Sequence, residues 1–163
     1  MSEVWRITKR EHCENNPLSG EGARRYPGRW HPRGTPVLYT SRTLSLAALE
    51  VFVHLPARKH LPSDLVAIQI DVSGVSVRRV GVEELPPDWD RALPIAATQE
   101  LALGWLEAGD ACGLDVPSAI IPFERNLILN PRHPDFETVQ VLSVQPFRFD
   151  PRMLQPSDSA ARH

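Results

Sequence analysis

The sequence predicts a single α+β domain, and three observations carry that reading. A chain of 163 residues is long enough for one core, since a chain of this size hides roughly 70% of its unfolded surface. β-Branched runs recur along it, whereas "TLSLAALEVFVHL" and "PIAATQELALGWLEAG" place leucine and alanine at helical spacing. No internal repeat or low-complexity block interrupts the pattern, so the expectation is one mixed domain over residues 1–150 with a strand-rich core and a few helices. The polar tail from Pro151 to His163 is expected to fray.

Taken in order, "VWRIT" alternates apolar and polar residues as a half-buried strand does, and a long turn-rich loop follows. "PVLYTS" (Pro36 to Ser41) is a short strand introduced by Gly34 and Pro36, and the first helix runs from there to its stop at Pro56. "LVAIQIDV" and "VSVRRV" flank Ser73 and Gly74, which predicts a hairpin. The second helix begins with Pro94 in its first turn and stops at Gly109. Beyond Cys112, "LDVPSAIIPFERNLILN" and "TVQVLSVQPFRFD" are apolar runs cut by prolines, a pattern of short strands and turns.

Composition bounds the function. Hydrophobic residues at 42% and charged ones at 23% describe a globular chain rather than a disordered one. A net charge of −2 and a pI near 6.3 argue against a dedicated nucleic-acid binder, while leaving room for a local cationic patch. Two cysteines, Cys13 and Cys112, make neither a disulfide framework nor a zinc spacing, which points to a reducing cytoplasm. "MSEVWRITKREHCENN" lacks the basic head and apolar stretch of a signal peptide, and no run is long enough to span a bilayer. The six histidines are dispersed, so no metal is expected.

The informative stretch runs from Gly20 to Glu50. Between Gly22 and Leu49 it holds five arginines (Arg24, Arg25, Arg29, Arg33 and Arg42) and no acid. Guanidinium groups match phosphate oxygens two-pronged, and the interspersed glycines let backbone approach a ligand. Trp30, between Arg29 and His31, is a poor fit to a solvated loop. Tyr39 offers an aromatic face to a planar ring. Glu50 then falls on the apolar face of the first helix, beside Leu46, Ala47 and Val53. Its plain reading is a surface residue or a structural ion pair with one of the arginines. The functional reading is a carboxylate placed where positive charge develops, because an unpartnered carboxylate among apolar groups loses hydration. Arginine for a diphosphate, tyrosine for a flat heterocycle and a carboxylate for a sugar cation are what cleavage of NAD at its nicotinamide–ribose bond requires.

Two segments, "GRWHPRGTPVLYTSRTLSLAALE" (Gly28 to Glu50) and "VPSAIIPFERNLILNPRHPDF" (Val116 to Phe136), resemble the RES family, which supplies toxins of RES–Xre toxin–antitoxin modules. The signature arginine, glutamate and serine map to Arg29, Glu50 and Ser118. The resemblance implies a fold similar to ADP-ribosyltransferases, with a cleft between short β-sheets and an activity directed at NAD as substrate, with no prosthetic group. It implies Arg29, Tyr39 and Glu50 as the catalytic set, with Ser118 and Asn126 in the same cleft; substrate binding is assigned to Arg29, Tyr39, Ser118, Asn126 and Trp30. Arg29 is then assigned to the phosphates or ribose, Tyr39 to the nicotinamide, Glu50 to the ribose hydroxyl and developing cation, and Ser118 to hydrogen-bond donation. Ser118 has the alternative task of ending a strand by bonding its own backbone. His31 stands where relatives are expected to carry asparagine, and Pro27 where another glycine is frequent. "NPRHPDF" (Asn130 to Phe136) is either a wall of the cleft or a turn that orders the last strands.

The acceptor stays open: water makes a glycohydrolase, inorganic phosphate a phosphorylase, a protein side chain an ADP-ribosyltransferase. A non-catalytic phosphate- or RNA-binding module is the rival of a different class. The resemblance also implies an Xre-type antitoxin that covers the cleft and alone reads DNA.

Overall fold

Seven strands form one continuous sheet in the computed structural model of the chain, which describes residues 2–56 and 60–154. They are β1 (Glu3–Lys9), β2 (Leu38–Ser41), β3 (Leu65–Asp71), β4 (Val77–Arg79), β5 (Gly113–Pro117), β6 (Arg125–Leu129) and β7 (Gln140–Phe147). Their spatial order is β4-β5-β6-β2-β1-β3-β7, antiparallel throughout except for the β4–β5 pair. The α+β expectation holds, with the strands gathered into one sheet.

The helices are α1 (Glu21–Arg25) in the first loop, α2 (Leu44–Phe52) and α3 (Ala96–Ala108). α2 starts on Thr43, whose side chain accepts from Leu46 N–H at 3.2 Å and so satisfies one of the free amides of the first turn. α3 begins two residues after Pro94 and ends at Gly109, whose left-handed φ of 62° glycine adopts without strain.

The expected hairpin between the third and fourth strands does not form. β3 pairs on both sides, with β1 and β7, and β4 crosses to the opposite edge beside β5. The physical reason lies in β3's composition: "LVAIQID" is buried on both faces over most of its length, which a central strand requires and a hairpin edge does not. The chain after Phe149 makes a 3-10 turn at Pro151–Met153. The rest of the expected tail, residues 155–163, lies outside the described residues.

Strand alternation sorts the residues onto two faces. Register sets Ser41 opposite Asn126, Tyr39 opposite Ile128, and Val116 opposite Asn126 on its other side. Tyr39, Ser41, Val116, Asn126 and Ile128 therefore share one face. α3 covers part of it through Ala102 and Trp105, packed with Leu114, Val116 and Ile128, while α2 lays Ala47 over Ile7, Leu65 and Ala67. The other face buries Val4, Leu38, Ile68, Ile70, Leu127 and Leu129. Each such side chain contributes about 2 kcal/mol relative to exposure, so the sheet's centre is rigid where the polar residues of the first face project.

Candidate active site

Glu50 is the sole charged residue of α2. One helical turn after the buried Leu46 and Ala47, it is carried on the face that the helix turns to the sheet. Its Oε1 accepts from Asn126 Nδ2 at 2.5 Å and from Ser118 Oγ at 2.9 Å. Its Oε2 has no hydrogen-bond partner among the described residues. Asn126 is oriented in turn, since its carbonyl accepts from Ser41 Oγ at 2.7 Å. A half-buried carboxylate thus has one oxygen fixed and the other free. Ser118, fully buried, also accepts from the Ile120 and Ile121 N–H groups at 3.1 and 3.2 Å. The strand-ending reading of this serine is thus met by its own backbone bonds, and its hydroxyl hydrogen goes to Glu50.

Arg29 comes from the loop ahead of β2. Its Nη1 and Nη2 donate to the carbonyls of Trp89 and Arg91, both at 2.6 Å, so the planar fork ties its own loop to the one before α3. Burial lowers its pKa from the usual arginine value, with Glu50, then Asp90 and Tyr39, acting against the shift. That Arg29 and Glu50 act on one another places both charges in one electrostatic neighbourhood. α3 holds the same loop from beneath: Thr98 Oγ1 donates to Arg29 O at 2.6 Å, and Gln99 Nε2 donates to Gly28 O and His31 O at 2.8 and 3.2 Å.

Tyr39 is on the same sheet face as Asn126, one strand away. Its hydroxyl accepts from Trp30 N–H at 3.3 Å and lies 2.6 Å from His31 Nδ1. His31 Nε2 is 2.7 Å from the Tyr26 carbonyl, which can only accept. The proton is therefore on Nε2, and Tyr39 donates to Nδ1. Burial raises the Tyr39 phenol, against the Trp30 hydrogen bond and the Arg29 charge, and keeps it protonated at neutral pH. Burial lowers the His31 pKa, against its backbone bonds to Tyr26 and Ala23.

Arg29, Tyr39, Glu50, Ser118 and Asn126 are thus brought together, and Trp30 is not. Its ring is 3% exposed and packs in the core 6.4 Å from that of Trp89, so what it supplies to the cluster is a backbone amide. The arginine loop is also less uncompensated than its sequence suggests. Arg24 pairs with Glu21, and Arg42 pairs with the buried Asp115, which Arg125 holds from the other side. Asp115 and its arginines are on the sheet face opposite Glu50, because Asp115 registers with Leu127. "NPRHPDF" lies at the far end of β6, beyond Leu129, and not at the Glu50 end.

Sequence reasoning passed over Ser41, Thr98 and Gln99. Ser41 carried a usable signal, because it stands two residues after Tyr39 in a strand and so shares its face. Thr98 and Gln99 carried none, since polar residues in a helix's first turn are ordinary. Two cavities, of about 300 and 170 Å³, are lined by other residues. Among the described residues there is no cluster of three or more His, Cys, Asp or Glu side chains that could hold a metal, and no helix is long and apolar enough to cross a membrane.

Residues 3–150 match the RES domain. The chain is 36% identical over 153 residues to Toxin Res of Photorhabdus laumondii, covering 93% of this chain and 97% of that one. It is 33% identical over 158 residues to the Prs ADP-ribosylating toxin of a Sphingobium species, covering 94% and 98%. Its fold is similar to a chain in the crystal structure of the M. tuberculosis MbcT–MbcA toxin–antitoxin complex, with a TM-score of 0.73, 20% identity, and 93% and 86% of the two chains covered.

Proposed function

The chain belongs to the RES domain family, and from that premise we propose that it is the toxin of a toxin–antitoxin pair and depletes NAD by cleaving the nicotinamide–ribose bond. One observation carries the reading: a carboxylate with one oxygen fixed by Ser118 and Asn126 and the other free shares its surroundings with Arg29 and Tyr39. As the glycosidic bond breaks, the ribose gains positive charge and the nicotinamide leaves neutral. Glu50 favours that state over the ground state because its charge is already in place and its hydrogen bonds need no rearrangement. Oε2 accepts a ribose hydroxyl. The Arg29 N–H groups not committed to the Trp89 and Arg91 carbonyls hold the diphosphate, and the Tyr39 ring supports the nicotinamide.

The acceptor is water or inorganic phosphate in this reading. A protein acceptor is the second reading, favoured by the name of the Sphingobium relative. Incubation of the protein with NAD, with and without phosphate, separates them. Free nicotinamide with ADP-ribose marks hydrolysis, nicotinamide with phosphorylated ADP-ribose marks phosphorolysis, and label retained on protein marks transfer. Absence of nicotinamide release, together with salt-sensitive polynucleotide binding, would leave the non-catalytic module. Arg24 and Arg42 are engaged by carboxylates, which speaks against that module.

An antitoxin that covers the cleft fits the rim. Phe123, Leu93 and Tyr26 are 99%, 79% and 73% exposed. They lie on the loops that follow Ser118, follow the Arg29-binding carbonyls, and supply the His31 acceptor. Exposed apolar side chains on loops that also carry site residues support a docking surface there. Any DNA reading belongs to the Xre-type partner. The free thiols Cys13 and Cys112 suit the reducing cytoplasm in which an NAD pool is available.

A further inference from the structure

The cavity of about 300 Å³ lies at the opposite end of β6 from Glu50. Four residues of strand, roughly 13 Å, separate Asn126 from Asn130. One wall is the proline-bounded turn that follows β6. Asn130, 8% exposed, accepts the Arg132 N–H at its Oδ1. Its Nδ2 has no acceptor among the described residues. His133 Nδ1 accepts the Asp135 N–H at 3.1 Å, which leaves the ring proton of the neutral form on Nε2, also without an acceptor. The Arg132 guanidinium has neither an ion pair nor a hydrogen bond among the described residues. The turn is held rigid from behind: Asn130 N–H donates to Cys112 O at 2.8 Å, and Asp135 accepts from both the backbone and the hydroxyl of Ser76.

Asn130, Arg132 and His133 therefore line the cavity with three donors, one of them a cation, that no acceptor among the described residues receives; the Asp135 carboxylate is 3.8 Å from His133 Nδ1, on the ring edge away from Nε2. Another part of the lining is the end of a helix. Leu106 and Gly109 belong to the C-terminal end of α3, where the last carbonyls of a helix have no intrahelical partner. Pro36 and Pro134 close the sides with apolar surface. The volume is at the lower bound of small-ligand sites.

We propose that this cavity is a second ligand site, which binds a small metabolite with an oxyanion, phosphate or carboxylate, at the Asn130–His133 wall and hydroxyl groups toward Gly109. The oxyanion receives the three free donors and the hydroxyls give hydrogens to the helix end. The site is separate from the Glu50 cluster, and its existence does not depend on the NAD reading.

Amide NMR titration of the full chain, with Glu50→Gln as the background, tests it. The probes are inorganic phosphate, ribose 5-phosphate and lactate. Signals of Asn130 to Asp135 and of Gly109 should move with ribose 5-phosphate or lactate at low-millimolar Kd or better, and less with inorganic phosphate, which lacks the hydroxyl end. The tighter of the two organic probes identifies the oxyanion. Arg132→Ala, and Asn130→Asp, which keeps the acceptor for Arg132 N–H and removes the donor, should each weaken binding about tenfold or more. Arg79→Ala, which removes an exposed arginine elsewhere, should not. Movement confined to Gly28–His31 and residue 50, absence of movement at roughly ten times a millimolar Kd, or equal weakening by Arg79→Ala would each overturn the proposal.

Discussion

The Asn126 amide donates to Glu50 Oε1 across 2.5 Å, joining a strand and a helix that are 76 residues apart in the chain. Ser41 holds the other end of that amide, so the donor cannot flip away from the carboxylate. A charge-assisted bond of this kind is worth about 1.5–3 kcal/mol, enough to fix the rotamer of Glu50 before any substrate arrives.

Glu50→Gln separates charge from shape. A glutamine presents its carbonyl to the same two donors, from Ser118 and Asn126, and so keeps the fold. The melting temperature should stay within a few degrees of the parent. Nicotinamide release should fall by about a hundredfold or more, as when a charge aimed at a transition state is removed. A folded variant that releases nicotinamide at the parent rate would remove Glu50 from the mechanism.

Asn126→Asp places a second carboxylate against Oε1. Ser41 can still donate to it, but two carboxylates at this distance cannot both be ionised without a large penalty, so the pair retains a proton to higher pH. Activity should drop at least about tenfold at neutral pH and recover on the alkaline side. A pH–rate profile parallel to that of the parent would contradict the assigned contact.

Gly28→Ala should damage the site without any unusual backbone angle at that position. An added Cβ would meet His31 Cε1 at 2.7 Å and the Tyr39 hydroxyl at 2.9 Å, so the bond between them must shift. Overpacking of this kind costs about 1–3 kcal/mol, and urea unfolding should report it alongside lost activity. Gly104→Ala, where nothing lies within 4 Å on α3, should instead stabilise by about 0.5–1 kcal/mol.

Asp115 is 4% exposed and pairs with both Arg42 and Arg125, one carboxylate between two guanidinium groups. Asp115→Asn would leave two guanidinium groups facing a neutral amide, one of them well buried. The expected loss is about 3 kcal/mol, the usual result of removing one partner from a buried pair. Because this cluster is on the face opposite Glu50, nicotinamide release per folded molecule should change little at low temperature.

Acid should loosen the Tyr39 latch. Folding lowers the His31 pKa below its ordinary value of 6.5, by burial. The unfolded chain then binds more protons just below that pH, so the stabilisation is complete above about 6.5 and is lost as pH falls through the folded value. Urea midpoints measured from pH 8 down to 5 should show this slope, and His31→Gln should flatten it. An unchanged slope in the variant would assign the effect to another group.

The sequence by itself determined the class of fold, because strand and helix periods are local properties of alternating and 3.6-residue apolar spacing. It also singled out Arg29, Tyr39, Glu50, Ser118 and Asn126, through the motifs around Gly28–Glu50 and Val116–Phe136. Only the tertiary structure decided what each of them touches. It buried Trp30, paired Arg42 with Asp115 across the sheet, sent β4 to the far edge, and enlisted Ser41, Thr98 and Gln99. The reason is that a contact between residues 76 apart depends on strand order and register, and those follow from how the whole sheet buries its two faces rather than from any one segment's pattern.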